Sequence, residues 1–140
     1  MIISDFVNKY NGRLVDFDNA YGAQCVDLFR QYVFDVWGIT EHTGAVEGAK
    51  DLYLNYKNMP REMKYFEKIP ASHKRIGGDV LVFDATPKNK YGHVCIMLGE
   101  YEEGFLVFEQ NGFTQDGAKI VFRSKFGLLG CLRRRKDVRG

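Results

Sequence analysis

The chain has no apolar run long enough to cross a bilayer, so no membrane partner is expected. It also has no marked excess of charge. Its 20 Lys and Arg stand against 18 Asp and Glu, and a formal net charge of +2 is too small to argue for nucleic acid. Cysteines are few. Cys25, Cys95 and Cys131 lie far apart, form no CxxC pair and have no histidine at zinc-ligand spacing, so neither a disulfide frame nor a zinc site is expected. The opening MIISDFVNKY lacks the basic start, apolar middle and small-residue cleavage site of a signal peptide, so some route other than ordinary secretion is expected if the protein acts outside the cytoplasm. There is no internal repeat and no low-complexity segment.

What is present fits one domain, residues 1–140, with 45% hydrophobic residues and enough length for a core without disulfide staples. The first half reads helical: a short helix over Asp5 to Tyr10 capped by Ser4, a second from Val26 to Trp37 ended by Gly38, and a third from about Val46 to Tyr56. The second half changes period. DVLVF, HVCIML, FLVFEQN, AKIVF and GCLRRR are short β-rich runs separated by turn residues, as in an antiparallel meander. Helices first and about five strands afterwards predict an α+β domain. Residues 133–140 read as a basic tail or linker: solvated, in contact with an anionic polymer, or joined to a further domain.

Cys25 immediately precedes the amphipathic helix, where unsatisfied backbone N–H groups and the helix dipole favour a thiolate. A nucleophilic cysteine needs a base. His42 and His73 lie in polar, loop-like surroundings, whereas His93 opens the strand HVCIML. A hairpin folding about Tyr101 sets His93 opposite Glu109, and one folding about Glu102 sets it opposite Asn111. Since alternate residues share a face, either register gathers His93, Glu109 and Asn111 on one face. Their neighbours on both faces are apolar, which is an odd setting for polar groups without a task. The chemistry this points to is nucleophilic: Cys25 attacks a carbonyl, His93 shuttles the proton, Glu109 or Asn111 orients the imidazole, and the Cys25 N–H serves the oxyanion. Cys95 and Cys131 read as core packing.

Asp16, Asp18 and Asp27 occupy positions 1, 3 and 12 of a twelve-residue window, with Ala20 and Gly22 at positions 5 and 7. This is the ligand spacing of a Ca²⁺ loop, with backbone carbonyls at 5 and 7. Tyr21 at position 6 and Asp27 at position 12 depart from an EF-hand, which takes Gly and Glu there. Turn formation and the helix dipole account for the same aspartates without a metal. Three carboxylates so near Cys25 would oppose a thiolate, and a bound cation would cancel them.

With YGAQCVDLFRQYV, GGDVLVF, YGHVCIML and FEQNG in this order, the chain resembles the CHAP family of cysteine, histidine-dependent amidohydrolases/peptidases, related to the NlpC/P60 and papain-like groups. The resemblance runs from about Ile3 to Leu132. It implies a papain-like fold, Cys25 as nucleophile, His93 as base, and Glu109 and Asn111 as the orienting pair. It implies Ca²⁺ on Asp16, Asp18 and Asp27 and on the Ala20 and Gly22 carbonyls, as in some bacteriophage lysins. The implied substrate is bacterial peptidoglycan, cut as a muramoyl-L-alanine amidase or as a stem or cross-bridge endopeptidase. The expected setting is a monomeric phage endolysin held in the host cytoplasm until lysis and then acting on the cell wall, with a wall-binding domain possible outside this chain. A peptidase or amidase on another substrate, and a non-catalytic wall-binding module, are the competing readings.

Overall fold

The computed structural model describes residues 1–18, 24–41, 44–111 and 116–136. Helix α1 (Ile3–Tyr10) buries Phe6 and Val7. It starts earlier than Ser4 suggests, with Ile2 at the N-cap, because Ile3 already packs against the core. Helix α2 (Cys25–Asp35) buries Val26, Leu28, Phe29, Tyr32 and Val33. Gly38, at φ +70°, then turns the chain so that the Ile39 N–H returns to the Val33 carbonyl at 3.2 Å. The third helix expected over 46–56 is broken. Only α3 (Asp51–Leu54) and a 3₁₀ turn (Tyr56–Asn58) form there, followed by α4 (Pro60–Tyr65). The Asp51 carboxylate instead accepts the Gly48 N–H at 3.2 Å, and residues 44–50 run as a loop.

Among the described residues six strands follow: β1 (Phe66–Pro70), β2 (Val80–Phe83), β3 (His93–Tyr101), β4 (Gly104–Glu109), β5 (Lys119–Ser124) and β6 (Leu128–Arg134). They form one sheet in the order β1-β6-β2-β3-β4-β5, every neighbouring pair antiparallel. The domain is α+β as expected, with one strand more than the expected five. β1, FEKIP, escapes the sequence pattern because it is an edge strand that carries a lysine and ends in proline, which an edge tolerates. Residues 133 and 134, expected in a basic tail, belong to β6. Arg133 is fixed there by the buried Asp79, with Nε to Oδ1 at 2.9 Å and Nη2 to Oδ2 at 2.7 Å. Residues 137–140 of that expected tail lie outside the described residues.

The helices cover one face of the sheet, where Val80, Val82, Val94, Ile96, Phe108 and Leu132 join the main core. The opposite face buries a second cluster built from the sheet alone, including Leu81, Phe83, Cys95, Met97, Phe105 and Val107. The charged groups of Arg75 and Lys125 lie over the Phe105 ring and that of Arg123 over the Phe83 ring. The β3 and β4 strands are thus buried on both faces. No helix among the described residues is long and apolar enough to cross a membrane.

Candidate active site

Cys25 is the first residue of α2 and is half-buried. Its position is set by the helix start: the Gln24 N–H donates to Asp27 Oδ2 at 3.0 Å, and the Asp27 N–H returns to the Gln24 carbonyl at 3.0 Å. His93 opens β3 directly after Gly92, whose φ of +75° makes the turn into the strand. A Cβ at Gly92 would fall 2.5 Å from the Phe83 carbonyl, so only glycine fits. Of the other histidines, His73 is exposed and His42 lies outside the described residues.

His93 Nε2 meets Glu109 Oε1 at 3.1 Å, and Cys25 and His93 line the same cleft. Of the two expected orienting residues, Glu109 therefore makes the contact, while Asn111 lines the cleft beside it. Burial alone would push the imidazole down, but the hydrogen bonds and charges of Cys25 and Glu109 outweigh it and raise His93 to about 9. Glu109 moves the other way. Burial pushes it up, yet the hydrogen bonds and charges of His93 and Arg123 hold it at about 2.

Arg123 was not anticipated. From β5 its Nε donates to Glu109 Oε1 at 2.9 Å and its Nη2 to Oε2 at 3.2 Å, a two-point grip that turns Oε1 toward the imidazole. The available signal was strand alternation: Lys119, Val121 and Arg123 are the less exposed positions of β5, and an arginine in that row needs a buried acid. Cys95 lies beneath, its sulfur within 4.8 Å of the donor atoms of His93 and Glu109. It is fully buried and pushed well above the ordinary thiol range, so it stays protonated, as its reading as packing requires.

A cleft of about 560 Å³ opens over Cys25 and His93. One wall is the 45–49 stretch, which packs on the loop before β3: a Cβ at Gly48 would fall 2.8 Å from the Tyr91 carbonyl, and the Lys50 N–H donates to that carbonyl at 3.0 Å. Gln24, Asn89 and Asn111 are among the polar residues that line the cleft.

The aspartates converge. Carboxylate oxygens of Asp16, Asp18 and Asp27 lie within 4.8 Å of one another. Asp16 Oδ1 and Asp27 Oδ1 are buried with no hydrogen-bond partner. Asp18 Oδ2 is 3.3 Å from Arg30 Nη1, and Arg30 is 3.9 Å from Asp27 Oδ1. Burial, then the charges of Asp18 and Asp16, raise Asp27 to about 6 against the opposing Gln24 N–H and Arg30. Two orphaned buried carboxylate oxygens in a set of three hard oxygen donors fit a hard divalent cation. Ala20 and Gly22 lie outside the described residues.

In fold, the chain resembles an endolysin. The crystal structure of wild-type endolysin LysIME-EF1 matches 95% of this chain and 64% of its own length, with a TM-score of 0.65 and 22% identity. Ly7917 matches 93% of this chain and 60% of its own length at a TM-score of 0.66 and 18% identity, and its structure with the hydrolysing product of MDP matches at 0.65 and 19%. The chain thus spans less than two thirds of these structures. No family model matches it. On this endolysin-like fold a second unanticipated residue stands out. Gln110, the middle residue of Glu109-Gln110-Asn111, is fully buried, and its amide binds the main chain at Val15 and Gln24.

Proposed function

We propose that the chain is a peptidoglycan hydrolase of the CHAP type, in which Cys25 is the nucleophile, His93 the general acid and base, and Glu109 the group that orients the imidazole. The observation that carries this reading is the buried His93–Glu109 hydrogen bond, with half-buried Cys25 lining the same open cleft as the imidazole. The likeness in fold to an endolysin, and to a protein solved with a hydrolysis product of muramyl dipeptide, supports the bacterial wall as substrate.

The steps follow from the positions of the groups. Protonated His93 stands beside Cys25 as counter-ion to a thiolate. The sulfur attacks the scissile carbonyl, and the Cys25 N–H at the start of α2 faces the developing oxyanion. The C–N bond breaks as His93 gives its proton to the leaving amine, and a thioester remains. His93, now neutral, takes a proton from water; the hydroxide displaces the sulfur and releases the carboxylic acid. Glu109, ionised and gripped by Arg123, keeps the ring in one orientation throughout.

Asp16, Asp18 and Asp27 would hold Ca²⁺, with the main chain at Ala20 and Gly22 completing the set. Bound there, the ion cancels the carboxylate charges near the thiolate and fixes the segment that leads into α2.

The test is turbidity loss of Gram-positive walls with wild type and Cys25→Ser, each with Ca²⁺ and with EDTA, beside a casein digest. Lysis that needs Cys25, with casein untouched, is expected. Mass analysis of the released fragments then separates amidase from endopeptidase cleavage. Clearing by Cys25→Ser at the wild-type rate would overturn the mechanism.

A further inference from the structure

We propose that Gln110 is a positioning residue that sets Cys25 against His93, by fastening both ends of the segment that leads into the nucleophile. The inference rests on the catalytic reading above and adds to it the part that aligns its two reacting groups.

Gln110 directly follows Glu109 at the end of β4, and its side chain is 0% exposed. Its Oε1 accepts the Val15 N–H at 2.7 Å. Its Nε2 donates to the Val15 carbonyl at 2.7 Å and to the Gln24 carbonyl at 2.8 Å. Val15 precedes Asp16, and Gln24 precedes Cys25. One amide therefore binds the chain immediately before the aspartate segment and immediately before the nucleophile. The Gln24 carbonyl it holds also accepts the Asp27 N–H, so the grip reaches the first turn of α2.

The order of residues gives this its meaning. Glu109 holds the base, and the next residue holds the main chain of the nucleophile's neighbour. The two reacting side chains come from α2 and β3: Glu109, the last residue of β4, binds the imidazole, and Gln110, the residue after it, binds the main chain just before the thiol. Only a primary amide can do this. Glutamate matches its shape but lacks both N–H donors, leaving the Val15 and Gln24 carbonyls without them. Since a misplacement on the order of 1 Å can cost about 100-fold, loss of the grip should be visible in the reactivity of the thiol itself.

The experiment is alkylation of Cys25 by iodoacetamide at neutral pH, read on the Cys25 peptide by mass spectrometry, beside the rate of wall lysis at saturating and limiting walls, in wild type, Gln110→Glu and Gln110→Met at fixed Ca²⁺. Both variants, folded by circular dichroism, should be alkylated at least tenfold more slowly and should lose at least tenfold in the lysis rate at saturating walls, with the wall concentration for half-maximal rate little changed. A role confined to stability would lower the folded fraction and leave both rates per folded protein unchanged. Variants with wild-type rates overturn the inference. A wild type whose lysis is matched by Cys25→Ser removes the catalytic reading and this inference with it. Should both variants unfold, the wild type still decides: the Val15 amide, bonded to Gln110 Oε1, should exchange its hydrogen at least tenfold slower than an unstructured amide, and fast exchange overturns the inference.

Discussion

Replacing Arg123 with methionine separates the charge of the Glu109 grip from its packing. Methionine keeps an apolar side chain of similar reach but removes the guanidinium, whose carbon lies 5.4 Å from the Phe83 ring centroid. It removes two charge-assisted hydrogen bonds from a carboxylate that is 4% exposed. Breaking a buried ion pair from one side costs about 3–5 kcal/mol. The Arg123 side chain is 33% exposed, so solvent screens part of that term, and His93 remains as a partner. About 2 kcal/mol is the expected loss at neutral pH. For a chain of this length that corresponds to a fall in Tm of about 5–8 °C.

The pH dependence gives the control. Glu109 is held at about 2, below its unfolded value, so its contribution is present above about pH 4.5 and is lost as the pH falls through 2. The gap in Tm between wild type and Arg123→Met should therefore narrow steadily below pH 4. His93 is raised to about 9, so its contribution is full below about pH 6.5 and is lost as the pH rises through 9. Glu109 stays ionised at alkaline pH without Arg123, and loss of that neighbouring cation favours imidazolium, so the alkaline loss in the variant should begin at no lower pH than in wild type. The assay is a set of thermal melts from pH 3 to 10 by circular dichroism, with wall lysis at each pH. Equal Tm values at pH 7, or a gap that ignores acidification, would refute the role given to the Arg123–Glu109 pair.

Two further outcomes follow. Free Ca²⁺ a hundredfold above its dissociation constant should stabilise wild type by about 2.7 kcal/mol, measured as a rise in Tm. Asp27→Asn should abolish that rise, yet melt no lower than wild type in EDTA at pH 7, because Asp27 is raised to about 6 and its ionised form opposes folding as the pH climbs from about 4 to 6. Gly92→Ala should cost more than about 1 kcal/mol from its positive φ alone. The clash with the Phe83 carbonyl at the mouth of β3 should also lower wall lysis beyond the loss of folded protein, since His93 is the next residue.

Cys25, His93 and Glu109 could be found in the sequence because each obeys a local rule. A thiol at a helix start, a histidine at a strand mouth and polar residues in a doubly apolar hairpin are visible without coordinates. Arg123 and Gln110 could not be found that way, because their partners come from tertiary structure. Arg123 on β5 grips Glu109 on β4, and Gln110 binds carbonyls at positions 15 and 24 whose nearness no pattern announces. The edge strand β1 was missed for a related reason. A strand with one neighbour has no need of apolar residues on both faces, and FEKIP carries few.

The hairpin that carries His93 and Glu109 shows why an expected placement can rest on an incomplete account of the register. Pivots at Tyr101 or Glu102 both put His93 and Glu109 on one face. The ladder beside the turn follows neither, since it pairs Tyr101 with Gly104, Glu100 with Phe105 and Gly99 with Leu106. Continued without interruption, that register would send the His93 side chain to the face opposite Glu109. An irregularity between Met97 and Gly99 shifts the pairing by one residue, so that Met97 meets Val107 and Ile96 meets Phe108. That is the register a pivot at Glu102 requires. The single extra residue returns His93 to the side of Glu109, where the two side chains meet at 3.1 Å. Deleting Leu98 should remove the irregularity yet leave Met97 opposite Val107 and His93 on the side of Glu109, whereas deleting Val94 would move His93 by one position to the opposite face and break the contact on which the proposed chemistry depends.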